Sequence, residues 1–337
     1  MTDDTHSYAR RTVLRGAAIG TALPLLPAVA HARTPSAATA TAATQAPTET
    51  VAHGSTSLRW LGTSGWRIDV GGRTVLFDPY LTRFKTGLFD GVFNPATQIA
   101  DTDPTLVREF AGRPELILVS HSHWDHIADV PYLAKTTGAR VVGTETTFHL
   151  LVAFGVDPLQ ISVVKGGEVL DFGGGLTVEV VASLHSRNKK HSYFAPGTLT
   201  APPAAAPATI SDLPEGDTLA FQVTAGSGGP ALFLMGASDF AERAAEGLRP
   251  DVAMVAVPSS SATHRYVPRL LRTLGFPPVV VPVHWDNFET PLREPVVPDP
   301  TMDLSGLIGQ VRRESPASRV VVPDYRTVYG GDLRPRR

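Results

Sequence analysis

A run of three histidines and one aspartate constrains this chain more than any other feature. Residues 121–126 read His-Ser-His-Trp-Asp-His, and the apolar segment 116–120 lies directly before them. That segment predicts a buried strand, and residues 125–130 predict the start of a helix. A tight strand-to-helix loop would point the first two histidines to one side and the aspartate and third histidine to the other. Because Zn²⁺ takes imidazole nitrogens and carboxylate oxygens as ligands, the run predicts two neighbouring metal ions.

Two other interpretations of the run are a polar surface loop and core histidines satisfied by hydrogen bonds. Neither requires a strand before the run and a helix after it, whereas a metal-binding motif does. The flanking pattern therefore favours the metal site.

The composition is that of a globular chain without thiol chemistry. Hydrophobic residues make up 42% of the 337 residues and charged residues 18%, as in folded domains. The formal net charge of −2 gives no electrostatic footprint for nucleic acid or an anionic membrane. Cysteine is absent, which excludes disulfides, thiolate metal ligands and a lipid-bearing cysteine.

Residues 1–32 are predicted to be a twin-arginine-type signal peptide. Arg10 and Arg11 precede the apolar stretch 16–29, and the small-x-small sequence that follows ends at Ala32. A transmembrane anchor is the alternative, but the stretch is short and contains two prolines. We therefore expect the twin-arginine export machinery as a partner, cleavage near Ala32, and a secreted protein without a stable membrane anchor.

The rest of the chain is predicted to be a spacer followed by one domain. Residues 33–56, rich in Ala, Thr and Pro, predict a disordered spacer. Residues 57–332 alternate short apolar runs with helical patterns and begin with a three-stranded meander over 57–78. Strand-rich halves with interspersed helices predict an α/β fold, a four-layer αββα sandwich of two mixed sheets flanked by helices. The later strands are expected at 140–143, 161–164, 176–181, 219–223, 231–235, 252–257, 279–283 and 320–322, and the helices at 104–110, 130–136, 146–154, 241–248, 266–274 and 304–313.

Over about residues 57–330, the chain resembles the metallo-β-lactamase superfamily. The resemblance rests on the histidine run, on the sequence Trp-Leu-Gly-Thr-Ser-Gly at 60–65, on Phe-Asp-Pro-Tyr at 77–80, and on three later single residues. Within the superfamily the chain is most similar to the branch of ascorbate-phosphate lactonase-like hydrolases and N-acyl-phosphatidylethanolamine phospholipase D. The resemblance implies the metallo-β-lactamase fold.

The three later residues each follow an apolar strand, so one sheet edge could gather them; they are His185, Asp239 and His284. The resemblance implies two zinc ions per chain, although other divalent metals are possible. It implies His121, His123 and His185 on one zinc, Asp125, His126 and His284 on the other, and Asp239 bridging both.

Two aspartates need separate comment. Segment 236–239 reads Gly-Ala-Ser-Asp, whereas many relatives place the aspartate directly after the glycine, so the register of Asp239 departs from the family pattern. Asp78 resembles a family aspartate that orients a ligand histidine through its free ring nitrogen; a turn cap before Pro79 is the alternative.

These residues predict a secreted zinc-dependent hydrolase acting on a small ester, lactone or amide. Two zinc ions that share a water molecule would lower its pKa towards neutrality, and the bridging hydroxide would attack the substrate. Asp125 is counted as catalytic as well as a ligand. Candidate donors of a proton to the leaving group are His191, His264, Tyr266, Asp286 and Glu289.

Three other functions remain open at this point. A phosphodiesterase with phospholipase-like chemistry would gain from the basic residues Arg187, Lys189 and Lys190. A mononuclear iron oxygenase on the same fold and a metal-stabilised binding protein without turnover are the others. We expect a small-molecule substrate and no nucleic acid, because the chain has no room for an additional nucleic-acid-clamping domain. Two Pro-rich loops, 196–214 and 291–300, are predicted to shape the mouth of the site.

Overall fold

The computed structural model describes residues 56–225 and 228–336. The predicted signal peptide and all of the predicted spacer except Thr56 lie outside the described residues, so both stay predictions.

The first sheet has seven strands in the order β15-β1-β2-β3-β4-β5-β6. Strands β1 to β3 form the expected antiparallel meander, and β3 to β6 run parallel. The meander turns at Gly71 and Gly72, which both have positive φ, a conformation that glycine adopts without strain. The strands of this first sheet are β1 (Ser57–Gly62), β2 (Gly65–Val70), β3 (Arg73–Phe77), β4 (Leu116–Leu118), β5 (Arg140–Gly143), β6 (Ile161–Val163) and β15 (Val328–Gly330).

The second sheet contains eight strands, seven of them in the order β11-β8-β9-β10-β12-β13-β14, with β7 pairing to β8. Strands β8, β9 and β10 are antiparallel, whereas β10, β12, β13 and β14 are parallel, so both sheets are mixed. The strands are β7 (Val169–Asp171), β8 (Leu176–Leu184), β9 (Leu219–Ala225), β10 (Ala231–Met235), β11 (Asp239–Phe240), β12 (Val252–Ala256), β13 (Val279–Val283) and β14 (Arg319–Val320).

The helices connect the strands and flank the sheets. They are α1 (Pro104–Leu106), which continues into a π-helical turn (Val107–Ala111), α2 (Trp124–Ile127), α3 (Val130–Thr137), α4 (Glu145–Ala153), α5 (Glu242–Ala245), α6 (Tyr266–Thr273) and α7 (Leu304–Glu314). Local capping explains several boundaries: the Thr144 side chain accepts a hydrogen bond from Thr147 N, and the α3 helix ends at the left-handed Gly138. Within the described chain, we find no helix that combines the length and the apolar character needed to cross a membrane.

The core lies between the two sheets. Phe77 on β3 meets Phe221 on β9 edge to face, with ring centroids 6.1 Å apart. All residues of β4, β12 and β13 are buried, as expected for parallel strands covered on both faces. Apolar strand runs therefore fill the interior and leave the loops after the strands to carry polar side chains.

The predicted fold, two mixed sheets with flanking helices, is confirmed. The differences are local. The helix expected at 125–130 ends at Ile127 and a second helix starts at Val130, and α5 is shorter than the expected 241–248. The short strands β7, β11 and β15 were not predicted, because two or three residues carry too little periodicity to identify a strand.

Candidate metal centre

The ligand residues meet because three strands end at the same edge of the sandwich. His121, His185 and His284 follow the ends of β4, β8 and β13. The loop after β4 turns at once into α2, with His123 as the residue before the helix. Ser122 fixes this loop, since its N–H donates to the Glu215 carbonyl at 2.9 Å.

Six of the predicted ligands form two compact groups. In each group, the potential ligand atoms all lie within 4.8 Å of one another. The first group is His121, His123 and His185; the second is Asp125, His126 and His284. The rings of His121 and His126, one from each group, have centroids 3.9 Å apart, so the two groups are adjacent.

In three of the histidines, a hydrogen bond at Nδ1 leaves Nε2 suited to a metal. His121 Nδ1 lies 3.0 Å from Ser120 Oγ, while its Nε2 is buried without a hydrogen-bond partner. His185 Nδ1 lies 2.8 Å from the Ser186 carbonyl, and His126 Nδ1 lies 2.8 Å from Asp78 Oδ2. In proteins, a hydrogen bond made by the ring nitrogen that does not bind the metal orients a metal-binding histidine. The donor set and the unsatisfied His121 nitrogen therefore fit a divalent metal such as zinc.

Burial keeps the first group in the neutral form that a metal requires. Desolvation lowers the pKa of His121, and the neighbouring imidazoles lower it further. The pKa of His123 falls to about 4 and that of His185 to about 3, in both cases chiefly through burial. All three rings are thus available as neutral ligands near pH 7.

The second group is charged. Burial alone would raise the pKa of Asp125, but His126 and His284 outweigh it and hold the pKa well below the usual value. Burial likewise opposes protonation of His126, yet the carboxylates of Asp125 and Asp78 raise its pKa to about 10. The Asp125 Oδ2 atom lies 3.1 Å from His284 Nε2 and 3.4 Å from His126 Nε2. This group therefore concentrates negative charge that a bound cation would balance in place of the proton.

Three residues that support the site have strained backbones. Asp78, Thr63 and His284 have φ values of 41°, 50° and 60°. Left-handed conformations are rare outside glycine and occur often at functional sites, where surrounding contacts maintain them. Here His284 N donates to the Thr63 carbonyl at 2.7 Å, which joins the two strained residues.

A cavity of about 370 Å³ opens above the two groups. All six ligand residues line it, together with Ser186, Tyr193, Gly236, Pro258 and Ser259. Its remaining wall is largely apolar and includes Leu88, Phe93, Trp124, Phe194, Phe288 and Met302. Potential ligands and an open cavity of substrate size thus occur at one place.

The family is decided by comparison with known sequences. The family model named Beta-lactamase superfamily domain matches residues 57–284, which include all six clustered ligands. The chain belongs to this family. The expected membership of the metallo-β-lactamase superfamily is confirmed, and the choice of branch stays a prediction.

Relatives within the superfamily match part of the chain. A UPF0173 metal-dependent hydrolase of Cupriavidus taiwanensis is 34% identical over 179 residues, 51% of this chain and 56% of that protein. A UPF0173 metal-dependent hydrolase of Pyrobaculum neutrophilum is 29% identical over 133 residues, 39% of this chain and 52% of that protein. The chain spans about half the length of these curated relatives.

A solved structure shows the same fold. The crystal structure of a possible metal-dependent hydrolase from Veillonella parvula covers 82% of this chain and 99% of its own, with 16% identity and a TM-score of 0.54. At this identity the likeness concerns the fold alone.

The bridging role that the superfamily resemblance implied for Asp239 is corrected by the structure. Asp239 belongs to β11, pairs with Leu184, and accepts a hydrogen bond from Phe240 N on its own Oδ1. It is in neither ligand group, and Gly236 lines the cavity in its place. The two extra residues after Gly236 carry the carboxylate past the ligand cluster into the short strand.

The predicted proton donors also lie elsewhere. His264 is exposed and does not line the cavity, and its carbonyl accepts a hydrogen bond from Arg269. Tyr266 is buried at the start of α6, where its hydroxyl lies 3.3 Å from the Met235 sulfur. Neither residue is brought to the ligand groups, and of the three residues predicted to be catalytic only Asp125 lines the cavity.

The other candidates for proton donation have structural contacts. His191 is exposed and does not line the cavity. Asp286 Oδ1 accepts from Thr63 N at 2.9 Å, and Glu289 Oε1 accepts from Thr86 N at 2.8 Å, both in buried surroundings. Asp286 and Glu289 therefore fix loops around the site.

Sequence reasoning missed several residues of the centre. Ser120 contacts both His121 and Asp78, and its position beside the histidine run was a signal that could have identified it. Tyr193 stacks on His185 with ring centroids 4.5 Å apart. No local pattern in the sequence distinguishes Tyr193, because it lies in an irregular loop.

Proposed function

We propose that this member of the superfamily is a zinc-dependent hydrolase of small uncharged esters, lactones or amides. The observation that carries the proposal is the pair of three-residue ligand groups at the base of a cavity whose described lining contains no lysine or arginine. Bound zinc would supply an acidified water and Lewis acidity towards the carbonyl group. The chain itself positions the ligands and forms the cavity that would receive the substrate.

The charge of the cavity favours a carbonyl substrate. Among the described residues that line it, Asp125 is the only carboxylate and none is Lys or Arg. Arginine and lysine side chains are common phosphate-binding groups in proteins. Arg187, Lys189 and Lys190 are exposed and absent from the lining, and the Arg187 guanidinium lies over the Tyr193 ring at 5.9 Å. A phosphodiesterase is therefore the second candidate.

The test is a substrate panel with the zinc-loaded protein. Aliphatic esters, lactones and anilides should be hydrolysed, whereas a phosphodiester should be a poor substrate. Metal analysis should give about two zinc ions per chain. One iron per chain with oxygen consumption would instead support the oxygenase, and an intact panel with zinc supplied would support a binding protein.

Substitution of the ligands links metal to turnover. His121→Ala and Asp125→Ala should each lower metal content and reduce hydrolysis by at least about a thousandfold, because the acidified water is lost. The control is His264→Ala, an exposed histidine outside the cavity, which should keep both properties. Turnover at the wild-type rate by a metal-free variant contradicts the proposal.

Export is a separate proposal that rests on the sequence before the described residues. Arg10 and Arg11 carry the twin-arginine pattern. Changing both to Lys should trap the protein inside the cell, as measured by fractionation of cells and medium. Undiminished secretion of the double variant would refute this route.

A further inference from the structure

The apolar side of the cavity is built from four aromatic rings, Phe93, Trp124, Phe194 and Phe288, which we call the aromatic wall. Phe194 meets Phe93 edge to face at 5.2 Å and Trp124 at 5.3 Å. Phe288 lies 6.5 Å from Trp124, so the four rings are continuous. Edge-to-face pairs at these separations pack favourably and define fixed ring positions.

The aromatic wall reaches both ligand groups. The Phe194 ring lies 5.7 Å from His123, and the Phe288 ring lies 5.3 Å from His284. A substrate substituent in contact with the aromatic wall would therefore lie next to the ligand groups, where the ester or amide group would react. This continuity distinguishes the wall from an apolar patch elsewhere on the surface.

The loop that carries Phe194 is fastened on both sides of it. The Tyr193 hydroxyl donates to Glu215 Oε2 at 2.6 Å, and Glu215 N donates to the Ala195 carbonyl at 2.9 Å. Glu215 is itself buried, with 6% of its surface exposed. The Phe194 ring is thus presented in a fixed position before a ligand arrives, which lowers the entropy cost of binding.

The cavity is large enough for more than the reacting group. An apolar cavity of about 150 Å³ holds a benzene molecule. The volume of about 370 Å³ leaves space for one such ring together with an ester or amide group. The wall offers no charged partner to a substituent, and burying an unpaired charge there would be unfavourable.

We propose that the aromatic wall is a subsite for an uncharged aryl or large alkyl substituent of the substrate. The inference rests on the proposed function, because it assigns the non-reacting part of the same substrate. It makes the enzyme selective for apolar acyl groups over small or charged ones.

The first test compares three ethyl esters by titration of the released acid. The value of kcat/KM for ethyl phenylacetate should exceed those for ethyl acetate and monoethyl succinate by at least about tenfold. Phe194→Ala should lower the phenylacetate value about tenfold, mainly through KM, and change the acetate value less than about threefold. Phe154→Ala, a partly buried phenylalanine outside the cavity, is the matched control and should leave the preference unchanged.

The second test measures binding without hydrolysis, using 2-phenylethanol and saturation-transfer NMR on the zinc-loaded protein. Phe194→Ala should weaken its binding at least about fivefold, and Phe154→Ala should not, with thermal unfolding used to verify that both variants fold. Hydrolysis of the esters without a phenyl preference and without 2-phenylethanol binding overturns the subsite but leaves the proposed function. Binding lost only in Phe194→Ala, with every ester, lactone and anilide intact, supports the subsite and overturns the hydrolase.

Discussion

Asp78 acts behind the ligands, and its buried carboxylate contacts three side chains of the centre. Its Oδ2 lies 2.8 Å from His126 Nδ1 and accepts from Ser120 Oγ at 2.6 Å and from Ser64 Oγ at 3.4 Å. A methyl group at Gly236 would lie 2.1 Å from Ser120 Oγ and 2.8 Å from Asp78 Oδ2, so this position requires glycine. Asp78 is thus positioned by its neighbours and positions His126 in turn, which agrees with the orienting role that the resemblance implied.

Replacing Asp78 with Asn should weaken zinc binding about ten- to a hundredfold, because the charge that orients and polarises His126 is lost. Competition with a zinc chelator measures the affinity. The matched variant Asp239→Asn should bind zinc as the wild type does, since Asp239 belongs to neither ligand group and its Oδ1 accepts a hydrogen bond from Phe240 N. Equal weakening in both variants would restore Asp239 as a ligand.

The structure brings six of the seven predicted ligands into two groups and leaves Asp239 out of both, and the reason is local. His121, His185 and His284 follow strands whose apolar runs are unmistakable, so their meeting point could be predicted. Asp239 was predicted to be a ligand from its place in the order of the family's ligands along the chain. That order carries no information about the pairing of β11 with Leu184. Side-chain direction in so short a strand depends on tertiary contacts and not on local sequence.

At the scale of elements, the end of β13 is held by a buried polar network. Asp286 accepts hydrogen bonds from Thr63 N and from the Tyr325 hydroxyl, and the Arg83 guanidinium lies 3.4 Å from it. The Thr63 carbonyl in turn accepts a hydrogen bond from His284 N. The network thereby joins the β1–β2 turn to the loop after β13 and keeps His284 in its strained conformation.

Tyr325→Phe should remove one hydrogen bond from Asp286 and lower the free energy of unfolding by about 1–3 kcal/mol. Its second effect should be weaker binding of one of the two zinc ions, since His284 belongs to only one group. Calorimetric zinc titration and denaturant unfolding measure the two effects. Tyr329→Phe, another buried tyrosine with a hydrogen bond, should affect stability without changing zinc binding. A decrease in stability alone in Tyr325→Phe would limit the network to a structural role.

The aromatic wall shows what periodicity cannot predict. Phe93, Phe194 and Phe288 lie in three separate irregular segments, each without a repeating apolar pattern. Helices and strands were predicted because their patterns repeat, whereas loop residues meet only after the sheets have brought the loops together. The predicted roles of His264 and Tyr266 as proton donors were wrong for the same reason, because their surroundings depend on tertiary contacts. Tyr266, for example, lies on the buried side of α6 with Val267 and Leu270.

For the whole molecule, the ligand groups join distant parts of one chain. Residues 121–126, His185 and His284 come from both sheets, so a bound metal is a cross-link present only in the folded state. A ligand that binds only the folded state, at a concentration of a hundred times its Kd, adds about 2.7 kcal/mol to the free energy of unfolding. In a domain of this size, that corresponds to an increase in Tm of about 5 °C.

Removal of metal by a chelator should therefore lower Tm by at least about 5 °C, as measured by differential scanning calorimetry. Adding zinc back should restore the original value. The double variant His121→Ala, Asp125→Ala should melt at the same temperature with and without chelator. A chelator effect of equal size in the double variant would place the stabilising metal elsewhere.

The pairing of β1 with β15 has a consequence for biosynthesis. Ser57 and Leu58 lie opposite Gly330 and Tyr329, so the two ends of the domain form one edge of the first sheet. While the ribosome has not yet translated residue 330, β1 keeps an uncovered strand edge that can pair with other nascent chains. The domain can complete this sheet only after β15 has been synthesised, and a chaperone that shields β1 in the interval would raise the yield of native protein.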